Sequence, residues 1–180
     1  MAATTTTTRI STEHYEAALD PEICTFAYEY LVENIQWVDG VPSRQGFTRK
    51  AKALTFDSDD VVSQLITEAL KIVKVPHTGA SVLDGIYLNW YRNGADFTPM
   101  HKHDTCQLII SLGASRTLKV GNRDIVMKNG DICIFGQSLH GVPKEPLQTE
   151  GRISIAVFLR QMPVDLLENV LAHSLSQLSF

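Results

Sequence analysis

Three histidines in this chain have a spacing that suits a metal site. His101 and His103 are separated by one residue in the segment TPMHKHDTCQ. In an extended strand both would point to one face, and Lys102 between them to the other. The third, His140, follows the short apolar segment DICIFG and precedes a glycine. Two imidazoles from one strand and one from a distant strand edge can form a facial metal site, so we predict that His101, His103 and His140 are catalytic metal ligands.

A carboxylate lies directly beside the histidine pair. Asp104 follows His103 in the sequence. In a regular strand it would face away from the metal if His103 faces toward it, because neighbouring side chains alternate between the two faces. A β-bulge would re-aim the side chain. Asp104 is therefore the less favoured of the candidate ligands.

Helices are predicted on both sides of the segment that contains the three histidines. Residues 20–36 have apolar residues at helical spacing and Asp20 in the N-cap position, and residues 57–75 form a second amphipathic pattern. The segment between them, 37–56, is turn-rich and basic. Apolar residues recur at helical intervals again near the end of the chain, so we predict a closing helix over 161–180.

The residues between the second and the closing helix have the texture of a β-sheet. Short alternating or apolar segments are separated by glycine and asparagine turns. The predicted strands are VLDGIYLNWY, CQLIISLG, RTLKVG, RDIVMK, DICIFG and RISIAVFLR. We therefore predict a mainly β (α+β) fold in which helices flank a β-sandwich or barrel.

Length and composition limit the possible classes of protein. A chain of 180 residues with 44% hydrophobic residues is long enough for one domain with its own core. No apolar run approaches the roughly 18 residues of a membrane span, and residues 1–10 lack the apolar core of a secretory signal. We expect a soluble monomer in the cytoplasm or another intracellular compartment.

A net charge of −4 provides no chain-wide attraction to phosphates, and three distant cysteines do not indicate a disulfide framework.

The motifs together resemble those of the Fe(II)/2-oxoglutarate-dependent dioxygenase superfamily, and among its branches the AlkB-like one. That branch has N-x-Y, a glycine three residues later, and then H-x-D; this chain has Asn89, Tyr91, Gly94 and then His101 with His103. The segments ISLGASR and HGVPK are similar to the strand and the distal histidine segment of the same branch. The resemblance covers residues 87–160 and implies Fe(II), 2-oxoglutarate as cosubstrate and O2.

The resemblance also implies a fold, a domain organisation and cosubstrate ligands. The fold would be a double-stranded β-helix of the jelly-roll or cupin type. After a disordered tail at 1–10, one domain would span 11–180, with a helical part to residue 80, the barrel at 81–160 and a C-terminal helix. Arg152 and Ser154 form an R-x-S pair on one strand face, and an arginine fork with a neighbouring hydroxyl is suited to a carboxylate. By the resemblance, Asn89, Tyr91, Arg152 and Ser154 bind 2-oxoglutarate.

Two positions depart from the AlkB-like pattern. His103 replaces the aspartate of H-x-D, so three neutral imidazoles would leave a divalent metal with a charge of +2 instead of +1. A second arginine is expected six residues after Arg152, where this chain has Phe158. Arg160 would lie roughly 7 Å further along the strand and is left out of the site.

Two other interpretations remain open. The segment also resembles the first cupin motif, with His101 and His103 followed by Gln107 in the place of the acidic ligand and later by Gly113. A cupin-type three-histidine metalloprotein would act on a small molecule without 2-oxoglutarate. The second alternative is a catalytically inactive binding module that retains the barrel.

The substrate is less constrained than the site. An oxygenase of this kind would hydroxylate or demethylate its substrate, and the AlkB-like reaction removes an N-methyl group from a flipped nucleobase. The segment SRQGFTRKAKAL carries Arg44, Arg49, Lys50 and Lys52 around Phe47 and would contact a methylated nucleic acid or nucleotide. A free base, a peptide side chain or a small metabolite is equally compatible with the sequence.

Overall fold

A computed structural model describes residues 11–39, 49–57, 60–75 and 82–160 of the protein. The predicted tail at 1–10 and closing helix at 161–180 lie outside these ranges, as do Arg44 and Phe47. The described elements are β1 (Glu13–Tyr15), α1 (Pro21–Asn34), β2 (Val38–Asp39), β3 (Lys50–Leu54), α2 (Val61–Ile72), β4 (Leu83–Tyr91), β5 (Thr98–His101), β6 (Cys106–Gly113), β7 (Arg116–Val120), β8 (Arg123–Met127), β9 (Ile132–Phe135), β10 (His140–Val142) and β11 (Arg152–Leu159).

Both predicted helices in the described ranges are confirmed, and each begins at an aspartate cap. The Asp20 carboxylate accepts hydrogen bonds from the backbone N–H groups of Glu22 and Ile23 at the start of α1. Asp60 accepts one from the Ser63 N–H at the start of α2. The second helix is shorter than predicted, because it starts after this cap and its last residue is Ile72.

The strands form two antiparallel sheets. The larger has the order β1-β9-β6-β11-β4-β3-β2, and the smaller has the order β5-β10-β7-β8. All six predicted strand segments are strands in the structure. The segment 37–56, which is turn-rich and basic in sequence, also contains a strand that was not predicted: β3 pairs with β4 and extends the larger sheet. Such pairing compensates for the low strand propensity of alternating lysine and alanine.

Two apolar cores lie on opposite faces of the larger sheet. One contains Leu31 of α1 and Ile66 of α2 together with Ile155 of β11. The other contains Phe135 of the larger sheet and Leu118 of the smaller sheet, and therefore lies between the sheets. Side chains alternate along each strand, so on β4, β6 and β11 one residue faces the helices and the next faces the smaller sheet. The side chains of the larger sheet that line the candidate site are on the face toward the smaller sheet.

Candidate functional site

The three predicted metal ligands lie together at one end of the smaller sheet. His101 is the last residue of β5 and His140 the first of β10, and the two are direct partners in the antiparallel pairing. Their ring centroids are 4.3 Å apart. The His103 ring lies 4.8 Å from that of His101 and 5.5 Å from that of His140. One ligand nitrogen from each residue lies within 4.8 Å of the others, which brings all three within reach of one ion.

Backbone carbonyls orient two of the imidazoles. The Nδ1 atom of His101 lies 2.9 Å from the Pro99 carbonyl oxygen, and Nδ1 of His140 lies 2.8 Å from that of Ser138. A carbonyl oxygen only accepts, so each Nδ1–H is the donor and each Nε2 keeps its lone pair. This is the usual way in which proteins orient a metal-binding histidine.

Burial favours the neutral form of His103 and His140. Burial, with a smaller effect of the neighbouring histidines, lowers the pKa of His140 to about 4. Burial and the proximity of His101 lower the pKa of His103 as well. Since only the neutral imidazole has a lone pair to donate, both residues are ready to bind a cation at neutral pH.

His103 lies in a different element from the one predicted, because it is not on the same strand as His101. Strand β5 ends at His101, so His103 lies two residues beyond the strand and not on it. Lys102 is exposed as expected, and so is Asp104. Asp104 is not part of the group of clustered ligand atoms. Its backbone carbonyl accepts a hydrogen bond from Gln137, which holds the turn after His103.

A cavity of about 550 Å³ extends from the histidines along the inner face of the larger sheet. The predicted cosubstrate residues Asn89, Tyr91, Arg152 and Ser154 all line it. Small side chains on neighbouring strands, among them Ala51 and Ala156, leave this space open. The cavity thus connects the histidines to the predicted carboxylate site.

Arg152 is a buried cation at the wall of this cavity. It is 1% exposed, and its Nε donates a 2.8 Å hydrogen bond to the Ser111 hydroxyl. Its Nη2 atom has no hydrogen-bond partner among the described residues. Burial lowers the pKa of this guanidinium to about 10, so it remains charged at neutral pH. A buried charge with a free donor is destabilising unless an anion binds to it.

The other predicted cosubstrate residues are arranged around Arg152. The guanidinium carbons of Arg116 and Arg152 lie 5.4 and 5.6 Å from the centroid of the Tyr91 ring. Its hydroxyl is 2.8 Å from the Thr98 hydroxyl. Asn89 Nδ2 is 3.4 Å from the Ser154 hydroxyl, a long hydrogen bond. The four predicted residues therefore line one wall of the cavity.

No protein-family model matches the sequence, and no curated protein matches it. Solved structures do match. A prolyl-4-hydroxylase from Pseudomonas putida is 12% identical, with a TM-score of 0.64 and coverage of 86% of this chain and 94% of that one. The non-heme alpha ketoglutarate dependent epimerase SnoN from nogalamycin biosynthesis is 14% identical, with a TM-score of 0.64 and coverage of 85% and 77%. The protein OsALKBH1 is 13% identical, with a TM-score of 0.61 and coverage of 83% and 96%.

These matches decide the architecture. The fold is the double-stranded β-helix of 2-oxoglutarate oxygenases. The prediction of a mainly β, double-stranded β-helix fold with flanking helices is thereby confirmed for the described residues. OsALKBH1 is no more similar than the other two proteins, so the structural likeness does not single out the AlkB-like branch.

Arg49 is a residue of the double-stranded β-helix whose place in the cavity the sequence did not indicate. The sequence places it in a basic segment for nucleotide contacts, but its Nε donates a 2.7 Å hydrogen bond to the Asn89 side chain. It lines the cavity at the residue just before β3. Lys52 of β3 pairs with Leu88 of the helix-side core, so its side chain points to the other face of the sheet. The position of Arg49 depends on the pairing of β3 with β4, for which the sequence has no local signal.

Phe158 lies where a second arginine was expected. Its ring centroid is 4.9 Å from that of His103 and 5.4 Å from that of Tyr87, in edge-to-face contacts. Arg160, which the strand spacing excludes from the site, is exposed. The double-stranded β-helix therefore has an aromatic wall beside the histidines where a cation was expected.

The residues fit the groups implied by this fold. Three clustered imidazoles, two of them with the Nε2 lone pair left free by an Nδ1 hydrogen bond, are suitable donors for Fe(II) and for other divalent transition metals. The free Nη2 donor of Arg152 is suitable for a carboxylate. No helix in the described ranges combines the length and hydropathy needed to cross a lipid bilayer.

Proposed function

We propose that the protein is an Fe(II)/2-oxoglutarate-dependent oxygenase with a three-histidine metal site. The observation that carries this proposal is the shared cavity of the His101, His103 and His140 cluster and the buried Arg152. A metal site alone would not need a buried guanidinium with a free donor. An anion site alone would not need three converging imidazoles.

Each residue has a defined role in this proposal. His101, His103 and His140 hold the metal. Arg152 binds the distal carboxylate of 2-oxoglutarate, and Ser111 fixes the orientation of its guanidinium through the 2.8 Å hydrogen bond. Asn89, Tyr91 and Ser154 are further polar side chains on the same cavity wall that bind the cosubstrate, and Arg49 orients Asn89. When bound, Fe(II) with 2-oxoglutarate and O2 supplies the oxidant that hydroxylates a substrate C–H bond, releasing succinate and CO2.

The substrate class belongs to the same proposal. Hydroxylation of an N-methyl group would lead to demethylation, as expected from the AlkB-like motifs around Asn89 and Tyr91. A methylated nucleotide or nucleic acid is supported by the cation Arg49 at the cavity, which would contact phosphate. We propose that the protein acts as a monomer.

The test is an anaerobic titration of metal-free protein with Fe(II), followed by 2-oxoglutarate. We expect the visible charge-transfer band of the chelated cosubstrate, and we expect it to be lost in His103→Ala and in Arg152→Ala. Iron binding without the band would favour the cupin-type alternative. A band without succinate production in the presence of O2 and candidate substrates would favour the inactive binding module.

A further inference from the structure

Gln107 is a buried polar residue that the proposed function does not use. It lies on β6, is 2% exposed and lines the cavity. Its direct partners in the sheet are Phe135 on β9 and Phe158 on β11. Residues paired across antiparallel strands point to the same face, so all three side chains project toward the smaller sheet.

These two aromatic partners place Gln107 beside the histidines. The Phe135 ring centroid is 4.8 Å from that of His140, and the Phe158 centroid is 4.9 Å from that of His103. Gln107 lies between the two strands that supply these rings. Its carboxamide therefore occupies the part of the cavity floor that faces the metal ligands.

The side-chain amide of Gln107 has a hydrogen-bond donor without a partner among the described residues. This donor is the buried Nε2 atom. Its neighbours on this face include the apolar side chains of Phe135, Phe158 and Ile109. A buried amide without a partner destabilises a fold, and leucine would fill the same space without that penalty. A polar side chain here is thus explained by a ligand that accepts its hydrogen bond.

That ligand differs from the one at Arg152. Ser111, which binds the Arg152 guanidinium, is four residues from Gln107 on β6. Strand residues rise by about 3.3 Å each, so roughly 13 Å of strand separates the two positions. Gln107 lies at the Phe158 end of the cavity, away from the predicted carboxylate site.

We propose that Gln107 is a specificity-determining residue that donates a hydrogen bond from Nε2 to a carbonyl oxygen of the primary substrate. This inference rests on the proposed function, because it takes the histidine cluster as the place where the substrate reacts. The substrate class is a molecule that carries a carbonyl acceptor within an otherwise apolar surface. The apolar part packs against Phe135 and Phe158, and the carbonyl fixes which C–H bond faces the histidines.

The test uses a pair of probes that match in shape and differ in the acceptor. Cyclopentanone has a carbonyl oxygen, and methylenecyclopentane has a CH2 group in its place. Side-chain amide signals of ¹⁵N-glutamine-labelled full-length protein are followed by NMR with Zn(II) as a redox-inert metal and 2-oxoglutarate present. The variant Gln107→Leu identifies the Gln107 signals by their loss, and Gln64→Leu on the exposed face of α2 is the matched control.

We expect cyclopentanone, and not methylenecyclopentane, to move a Gln107 amide proton downfield. Gln107→Leu should bind cyclopentanone about tenfold more weakly and should bind methylenecyclopentane unchanged. Gln64→Leu should bind both as the native protein does. Gln107→Leu should also unfold at the same or a higher temperature, because it removes an unpaired buried donor.

Three results would overturn the inference. The first is an equal response of the Gln107 signals to both probes, and the second is no response to either. The third is a loss of more than tenfold in the affinity of Gln107→Leu for 2-oxoglutarate, which would assign Gln107 to the cosubstrate. A selective response to cyclopentanone in a protein that forms no charge-transfer band would reject the proposed oxygenase function and leave the carbonyl site standing.

Discussion

At the scale of single residues, the charge of the ligand set distinguishes this site. Three neutral imidazoles leave a divalent metal with a charge of +2, whereas two imidazoles and a carboxylate leave +1. The lowered pKa values of His103 and His140 keep those rings neutral. A more positive metal attracts dianionic 2-oxoglutarate more strongly but stabilises a high oxidation state less. In the function proposed above, such a ligand set would favour cosubstrate binding over fast oxidation.

The neighbours His103 and Asp104 allow a direct test of the ligand assignment. His103→Ala should lower Fe(II) affinity by at least about 100-fold, because a ligand is lost. Asp104→Ala should leave the affinity within about threefold, because its exposed side chain is not part of the cluster. Anaerobic Fe(II) titration with a competing chelator measures both values. The reverse order of effects would make Asp104 the ligand.

Arg152 and Arg160 form a second matched pair, because Arg152 is the first residue of β11 and Arg160 directly follows its last residue. Arg152→Leu should weaken 2-oxoglutarate binding by about 3 kcal/mol, on the order of 100-fold in Kd, since it removes a buried charge-assisted contact. Arg160→Leu removes an exposed charge and should change the Kd by less than about threefold. Calorimetric titration of the Co(II)-loaded protein reports the two Kd values. Equal losses would mean that the cosubstrate does not bind at Arg152.

At the scale of elements, the close pairing of β5 and β10 brings together two of the three predicted ligands, His101 and His140. A Cβ atom on Gly141 would lie 2.8 Å from the Thr98 carbonyl oxygen and 3.0 Å from the Met100 nitrogen. Both atoms belong to the backbone of β5, which cannot move aside as a flexible side chain can. Glycine at position 141 is thus required for β5 and β10 to lie close enough for His101 and His140 to be neighbours.

We expect Gly141→Ala to lower the free energy of unfolding by about 1–3 kcal/mol, as overpacking does, and to weaken metal binding at least tenfold by separating β5 from β10. Gly121→Ala is the control. Gly121 has a φ of +57°, and a Cβ atom added there would meet nothing within 4 Å, so the substitution should cost about 1 kcal/mol and leave metal affinity unchanged. Urea denaturation and Co(II) titration separate the two quantities. Normal metal affinity in Gly141→Ala would show that the site tolerates a wider strand spacing.

At the scale of the whole molecule, the larger sheet separates stability from function. On β11, Ile153, Ile155 and Val157 belong to the core under the helices. Arg152, Ser154 and Ala156 line the cavity on the other face. Neighbouring residues of one strand therefore contribute to different properties of the protein.

Substitutions at Ile155 and Ala156 should show this separation. Ile155→Ala should lower the free energy of unfolding by about 3 kcal/mol, because it leaves a void in a fully buried site, and should leave the Kd for 2-oxoglutarate unchanged. Ala156→Leu should reduce 2-oxoglutarate affinity by about tenfold or more, because the side chain fills the cavity, with a smaller change in stability. Chemical denaturation and cosubstrate titration are measured on both variants. A shared loss of both properties would contradict the separation.

The amino-acid sequence by itself determined the long elements and the identity of the clustered histidines. The strands β4, β6 and β11 are long enough for their alternation to be recognised, and the Asp20 cap marks where α1 begins. The spacing of His101 and His103 and the turn before His140 depend on neighbouring residues only. Local patterns of this kind are encoded over a few residues and need no knowledge of distant contacts.

Only the tertiary structure decided what surrounds those histidines. Strand β3 and the hydrogen bond from Arg49 to Asn89 exist because distant segments pair. The unpaired donors of Gln107 and Arg152 are recognised only when every neighbouring acceptor has been located in space. Burial and hydrogen-bond satisfaction are properties of the packed chain, set by contacts far apart in sequence. The sequence indicates which side chains are available for chemistry, and packing decides which of them are left free to bind a ligand.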